Sequence, residues 1–107
     1  MKFKNVFTTE HHVWAGEGSG LDDGLVYVGI TDHAQAELKD IVFVDMPMVG
    51  DEIAAGAPLC TLESIKSVSD IISPVSGTVM LLNEELDSDP GKINKAPMES
   101  WIVALKM

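Results

Sequence analysis

The sequence predicts a small all-β protein, a flattened barrel or sandwich of short strands with one short helix near residues 33–39. Two observations carry that expectation. Short apolar, β-prone runs recur along the chain, and turns bearing glycine or proline separate them. The spacing becomes helical at one place, after Asp32, where Ala34 and Leu38 fall on one helical face.

Taken in order, residues 6–14 read as a first strand with Val6, Val13 and Trp14 as core anchors. Gly16 to Gly24 is dominated by glycine and acid, the composition of a flexible hairpin connection. Leu25 to Ile30 is a strand, and the Asp32/Gln35 spacing is that of a capping box, which starts the helix. Ile41 to Met46 is again a strand. Pro47 to Glu52 turns the chain, and Gly56-Ala57-Pro58 turns it once more. Two β-prone runs, 58–62 and 70–75, then flank a short polar stretch and read as the arms of a hairpin. Gly77 is expected at a positive φ in the turn after Pro74, where the missing Cβ removes the steric cost. Val79 to Leu82 is a later strand, 87–92 a loop, and Trp101 to Leu105 the strand that closes the sheet. A weak repeat accompanies these elements. Pro47-x-x-Gly50 recurs as Pro74-x-x-Gly77, and at the same shift Val44 meets Ile71 and Leu59 meets Leu86. Two similar half-sheets packed face to face, with the hairpin projecting at one end, would follow from it.

At 107 residues the chain has the size of one domain, residues 1–107, with a modest core. A 46% hydrophobic content belongs to a folded protein. The formal charge is -10, and every basic residue is a lysine. That balance argues against nucleic acid or an anionic membrane as partner and favours basic patches on other proteins. One cysteine allows no internal disulfide, in keeping with a reducing compartment. The first seven residues are too short and polar for a signal peptide, and no run approaches membrane-spanning length. A cytoplasmic monomer is expected.

Lys66 is the residue with a chemical task. It sits in the polar stretch between the hairpin arms, with no other basic residue between Lys39 and Lys92. A lone amine raised on a hairpin tip is suited to be acylated and to carry something. An ordinary lysine amine is almost wholly protonated at neutral pH, so a separate enzyme must supply the base and the activated acyl group. Most such lysines are simply solvated. His11 and His12 lack a third ligand at metal-binding spacing, so no metal site is read. Cys60 reads as a small buried hydrophobe with no base beside it. No acid/base pair or nucleophile constellation is present, which disfavours an enzyme.

Glu63-Ser64-Ile65-Lys66-Ser67, followed by Ser69-Asp70 and Ser73-Pro74-Val75-Ser76-Gly77, resembles the lipoylation segment of the glycine cleavage system H protein family. Two further blocks resemble that family in the family's order: Val28-Gly29-Ile30-Thr31-Asp32-His33-Ala34-Gln35 and Asp40-Ile41-Val42-Phe43-Val44. The likeness covers roughly residues 7–105. It implies the barrel-sandwich hybrid of lipoyl and biotinyl domains, quasi-twofold, with the modified lysine at one hairpin tip. It also implies a non-catalytic carrier with lipoic acid held covalently on Lys66. A glycine decarboxylase would load an aminomethyl group, an aminomethyltransferase would remove it, and a dihydrolipoyl dehydrogenase would reoxidise the dithiol. A lipoate ligase or octanoyltransferase would attach the lipoyl group. By the same resemblance Glu63 and Ser64 belong to the attachment segment, while His12, His33, Glu37 and Asp70 match positions at the cleft that shelters the arm.

Three departures from the family stand out. Its usual Glu-His-Glu-Trp appears here as Glu10-His11-His12-Val13, with Trp14 one place late, so that either a histidine replaces the second glutamate or the register has slipped. A histidine found in some members before the helix's last leucine is Glu37 here. The family usually continues into a C-terminal helical segment, and this chain stops at Met107. These departures favour an alternative, a paralogous lipoate-binding carrier for another pathway such as sulfur-compound oxidation or lipoyl relay. A third reading is an unmodified interaction module in which Lys66 is a contact residue. Biotin carriage fits less well, because Ile65 and Ser67 stand where biotin domains usually place methionines.

Overall fold

A computed structural model describes residues 3–18 and 24–107. Nine strands and three short helices occur among these residues, in the order β1 (Phe3–Thr8), β2 (Val13–Gly18), β3 (Leu25–Ile30), α1 (Asp32–Leu38), β4 (Ile41–Asp45), β5 (Glu52–Ile53), β6 (Pro58–Ser64), β7 (Val68–Ile72), β8 (Gly77–Leu82), α2 (Glu85–Ser88), α3 (Lys92–Lys95) and β9 (Val103–Lys106). The strands form two antiparallel sheets. One has the order β1-β2-β3-β9-β8-β5 and the other β4-β6-β7. The expected all-β architecture of two layers is therefore observed.

Alternation places the core between the sheets. Val13, Val28, Ile30, Val79, Val103 and Leu105 point inward from the larger sheet, and Val44, Leu62 and Ile71 meet them from the smaller one. Each such side chain, fully buried, stabilises the fold by about 1.5–3 kcal/mol. A second cluster lies on the opposite face of the larger sheet. Trp14, Tyr27 and Ala104 are buried there against Phe3, Leu25 and Trp101. Gly29 makes room for it, because a Cβ at that position would stand 2.6 Å from the Trp14 ring. The indole Nε1 then donates to the Pro97 carbonyl at 2.9 Å, which ties the segment before β9 down over the sheet.

Several elements differ from the sequence reading, each for a local reason. The expected strand over 6–14 is broken by a turn in which the His12 amide donates to the Thr9 carbonyl and the Thr9 amide to Val13. Val6 is 41% exposed on β1, an edge strand, and anchors no core. Gly16 to Gly18 belong to β2 and not to a loop; residues 19–23 of that expected loop lie outside the described residues. Thr31, not Asp32, caps α1, its hydroxyl accepting from the Ala34 amide at 3.2 Å. Asp32 instead accepts from the Gln35 side chain within the first turn. Where one helix was expected there are three. The additional α2 and α3 have four residues each, too few for a helical period to show, yet they bury Leu86 and Ile93 in the core. A Lys92–Glu85 ion pair joins them, lowering the Glu85 carboxyl and raising the Lys92 amine chiefly through their hydrogen bond. The repeat stops short, since Leu59 lies in β6 while Leu86 lies in α2, and Val44 and Ile71 share one sheet.

Gly77 is required for a different reason from the one expected. It opens β8, and it is absent from the residues with positive φ. A Cβ there would stand 2.7 Å from the backbone carbonyl oxygen of Lys106 in the neighbouring strand. Backbone cannot yield as a side-chain tip can. Gly77→Ala is therefore expected to destabilise the protein by about 1–3 kcal/mol, read as a lower midpoint in urea at unchanged m-value. An unchanged midpoint would show that β8 and β9 separate freely at this point.

Candidate functional site

The β6–β7 hairpin is a rigid stalk with a polar tip. Leu62 and Ile71 anchor its arms in the core, and Glu63 pairs with Val68 as the last register before the turn. Two-residue hairpin turns ordinarily need residues at positive φ. Neither Ile65 nor Lys66 has one. Ser64 supplies the missing closure. Its hydroxyl accepts from the amides of Lys66 (3.1 Å) and Ser67 (3.0 Å) and donates to the Ser67 carbonyl (3.1 Å). The Ser64 amide donates to that same carbonyl at 2.8 Å. The tip also rests on the body of the protein, through the Ile65 amide and the Asp40 carbonyl at 3.0 Å.

Lys66 is exposed at this tip. Its Nζ donates to the Glu37 carbonyl at 3.3 Å, a long bond that holds the amine loosely at the C-terminal end of α1. No basic residue of α1 lies in its own last turn, so Lys66 brings the cation that this end of a helix favours. The Glu37 carboxylate meets His33 Nε2 at 3.2 Å one helical turn earlier. The His33 ring lies against His12, centroids 4.3 Å apart. Lys66, Glu37, His33 and His12 thus form one continuous row, although His12 comes from the turn before β2. The Thr31 amide, donating to the His12 carbonyl at 3.0 Å, fastens that turn to the start of α1. His12 adopts φ 60°, a conformation uncommon for a residue with a Cβ.

The remaining expected site residues stand apart from the row. Asp70 accepts from the Thr61 hydroxyl at 3.0 Å, and Glu63 lies between Phe43 and Val68 across the smaller sheet. Among the described residues no group of three or more His, Cys, Asp or Glu side chains is placed to hold a metal ion. Cys60 is buried, as expected. Burial, and then the carboxylates of Asp45 and Asp70, push its thiol up to about 12.

Asn94 escaped the sequence reading. Its amide accepts from the Ile41 amide at 2.9 Å and donates to the Lys39 carbonyl at 2.8 Å and to Gln35 at 3.0 Å. It thereby holds the Lys39–Ile41 segment, and with it the Asp40 carbonyl on which the hairpin tip rests. An open groove lies beside the tip, lined by Gln35, Ala36, Lys39, Asp40, Ile65 and Asn94. Nothing local to Asn94 marks it; its partners lie more than fifty residues earlier.

Fold and site together define a class, the two-sheet β domains that raise one lysine on a hairpin turn. The family model described as glycine cleavage H-protein matches residues 6–107. The chain belongs to that family. It is 48% identical over 103 residues to a probable glycine cleavage system H protein of Pyrococcus abyssi, covering 96% of this chain and 75% of the relative. A glycine cleavage system H protein of Clostridium botulinum (strain Loch Maree) is 46% identical, with 96% and 76% covered. The crystal structure of such a protein from Mycobacterium marinum superposes with a TM-score of 0.86 at 36% identity, covering 95% of this chain and 83% of that one.

Two outcomes follow from this geometry. Asn94→Ala strands the Ile41 amide and the Lys39 carbonyl and is expected to cost about 1–3 kcal/mol. Amide exchange at Ile41 and Ile65 should speed up more than at the core of β3; equal acceleration everywhere would mean Asn94 holds no local tie. Cys60 should resist iodoacetamide at pH 8.5, where an unfolded thiol is about half ionised. Alkylation in the native state is expected to be at least about a hundredfold slower than in urea. By linkage the raised thiol value costs stability only as pH rises from the ordinary thiol range toward about 12. Comparable alkylation rates in both states would place the thiol at the surface.

Proposed function

We propose that this chain is the lipoyl carrier of a glycine cleavage system, with lipoate in amide linkage to Lys66. One observation supports this above the others: Lys66 is the exposed amine of a tip that side-chain hydrogen bonds hold in shape, in a chain of this family. The residues fit the group. The amine is open to an acylating enzyme, and its loose bond to the Glu37 carbonyl is easily given up. When bound, the lipoyl group supplies a dithiolane that can be opened, loaded and reoxidised. The protein's own work is mechanical. Ser64 shapes the tip, the Asp40 carbonyl orients it, and the core carries both toward each partner in turn. Attachment to one hairpin raises the effective concentration of the arm at each enzyme that docks the carrier. In this reading those enzymes are glycine decarboxylase, aminomethyltransferase and dihydrolipoyl dehydrogenase, with a lipoate ligase or octanoyltransferase installing the arm.

The row of His12, His33 and Glu37 beside Lys66 is read as the rim against which the arm rests. Glu37 offers an anion to a cationic load, and His12 lies in the segment that departs from the family's Glu-His-Glu-Trp. That imidazole pair is the observation favouring a second reading, a paralogous lipoyl carrier for another pathway. Loading of the lipoylated protein by glycine decarboxylase separates the two. Failure to load would favour the paralogue.

Incubation of the unmodified protein with lipoate, ATP and a lipoate ligase is expected to label Lys66 alone, as mapped by peptide mass spectrometry. Lys66→Arg keeps the charge and removes the acceptor, so it should melt at the wild-type temperature and stay unlabelled. Labelling of that variant at another lysine would overturn the assignment.

A further inference from the structure

Lys39 leaves α1 through a backbone conformation that side chains avoid. Its φ is 66° and its ψ −155°, a region populated almost only by glycine. Strain of this kind persists only where the surroundings hold the residue on more than one side. Lys39 is held on both sides. Its amide donates to the Gln35 carbonyl at 3.0 Å, at the end of α1. Its carbonyl accepts from the Asn94 side chain at 2.8 Å, and the Ile41 amide returns to Asn94 at 2.9 Å. Between those two bonds stands Asp40, whose carbonyl receives the Ile65 amide at 3.0 Å. Outside the strand ladders, that is the one backbone bond from residues 65–67 to the body of the protein, among the described residues. Ile65 is 68% exposed and stands over an open groove, so packing contributes little to where the tip stands.

We propose that Lys39 is a positioning residue for Lys66. Asn94 holds it in a glycine-like corner, and the corner aims the Asp40 carbonyl at the hairpin tip. The inference rests on Lys66 being the residue that carries the group. In an ordinary backbone conformation Lys39 would turn its carbonyl away from Asn94 and take the following chain, with the Asp40 carbonyl, off the line to Ile65. Strain makes the corner conditional. While Asn94 grips it, the tip is docked; without that grip Lys39 relaxes to a negative φ and the tip is freed. α3 therefore acts on the hairpin through one strained residue. A glycine at position 39 would keep the corner with no strain to release, and so would need the grip far less. That dependence of one residue on the other separates a strained corner from an ordinary structural tie.

The test combines amide hydrogen exchange with urea unfolding of the unmodified protein, as wild type, Lys39→Gly, Asn94→Ala and the double variant. Lys39→Gly is expected to raise the folding equilibrium constant about fivefold, with exchange at Ile65 unchanged. Asn94→Ala should speed exchange at Ile65 about tenfold relative to the amides of β3. Made in the Lys39→Gly background, the same change should speed it no more than about twofold. Equal acceleration in the two backgrounds overturns the proposal, and so does a lower urea midpoint for Lys39→Gly. Lys39→Ala keeps the strain and removes the amine, so it should exchange as wild type does; faster exchange there would give the work to the ammonium group and overturn the backbone role. If Asn94→Ala does not fold, Asn94→Asp takes its place, keeping the acceptor for Ile41 and losing the donation to Lys39. After lipoylation, the KM of glycine decarboxylase for the carrier should rise severalfold with the Asn94 variant and return in the double variant, with kcat little changed. An unchanged KM alongside altered exchange at Ile65 overturns the positioning role. Failure of the carrier reading shows separately, as a wild type that takes no lipoyl group, because the exchange cycle is read on unmodified protein.

Discussion

A serine hydroxyl closes the turn that carries Lys66, and the site depends on that closure. Hairpin turns this short usually rely on glycine or asparagine to reach positive φ. Here the Ser64 side chain takes the place of a backbone acceptor, receiving the amides of Lys66 and Ser67. Residues 65 and 66 can therefore be an isoleucine and a lysine in ordinary backbone conformations. The shape of the tip is set by side-chain chemistry, and the backbone remains unstrained. Two residues before Ser64 along β6, Leu62 is fully buried, so the core fixes the direction in which the tip is presented. A loop of the same composition without that anchoring would present the amine in many orientations.

The body of the protein is arranged to support this one end. Asn94, from α3, binds the segment between α1 and β4, and that segment receives the hairpin through the Ile65 amide. α1 itself ends at the lysine, offering the Glu37 carbonyl to Nζ. α2 and α3 add Leu86 and Ile93 to the two-sheet core. The larger sheet is stiffened from behind by Trp14, whose ring lies over Gly29 and whose Nε1 is held by Pro97. Few of these contacts are local, and each gains strength from packing already established by others.

Electrostatics divides the surface around the tip in two. On one side the His12–His33 pair and the Glu37 carboxylate make a polar rim along α1. On the other, the outer face of the smaller sheet combines exposed apolar side chains with acids. The amine stands between a polar rim and a sheet face that carries exposed apolar side chains and acids. Cys60, beneath the acidic row, is kept protonated by burial and by the fields of Asp45 and Asp70.

The sequence by itself determined what rests on contiguous residues. The strands announced themselves by composition and turn chemistry, the lysine by its isolation, and the family by three blocks in order. Those signals act over a few residues, so they survive without tertiary contacts. The tertiary structure decided whatever joins distant parts of the chain. It split the first strand with a turn that has no glycine or proline to mark it. It made helices of two four-residue segments that have no room for a period, because Leu86 and Ile93 had a core to fill. It gave Gly77 its reason, a carbonyl of β9 that is 29 residues away in the chain. It brought His12 against His33, and Asn94 against the segment under the hairpin. The physical cause is common to all of these: a hydrogen bond or a ring contact depends on where two groups meet in space, and only the packing of the two sheets brings them together.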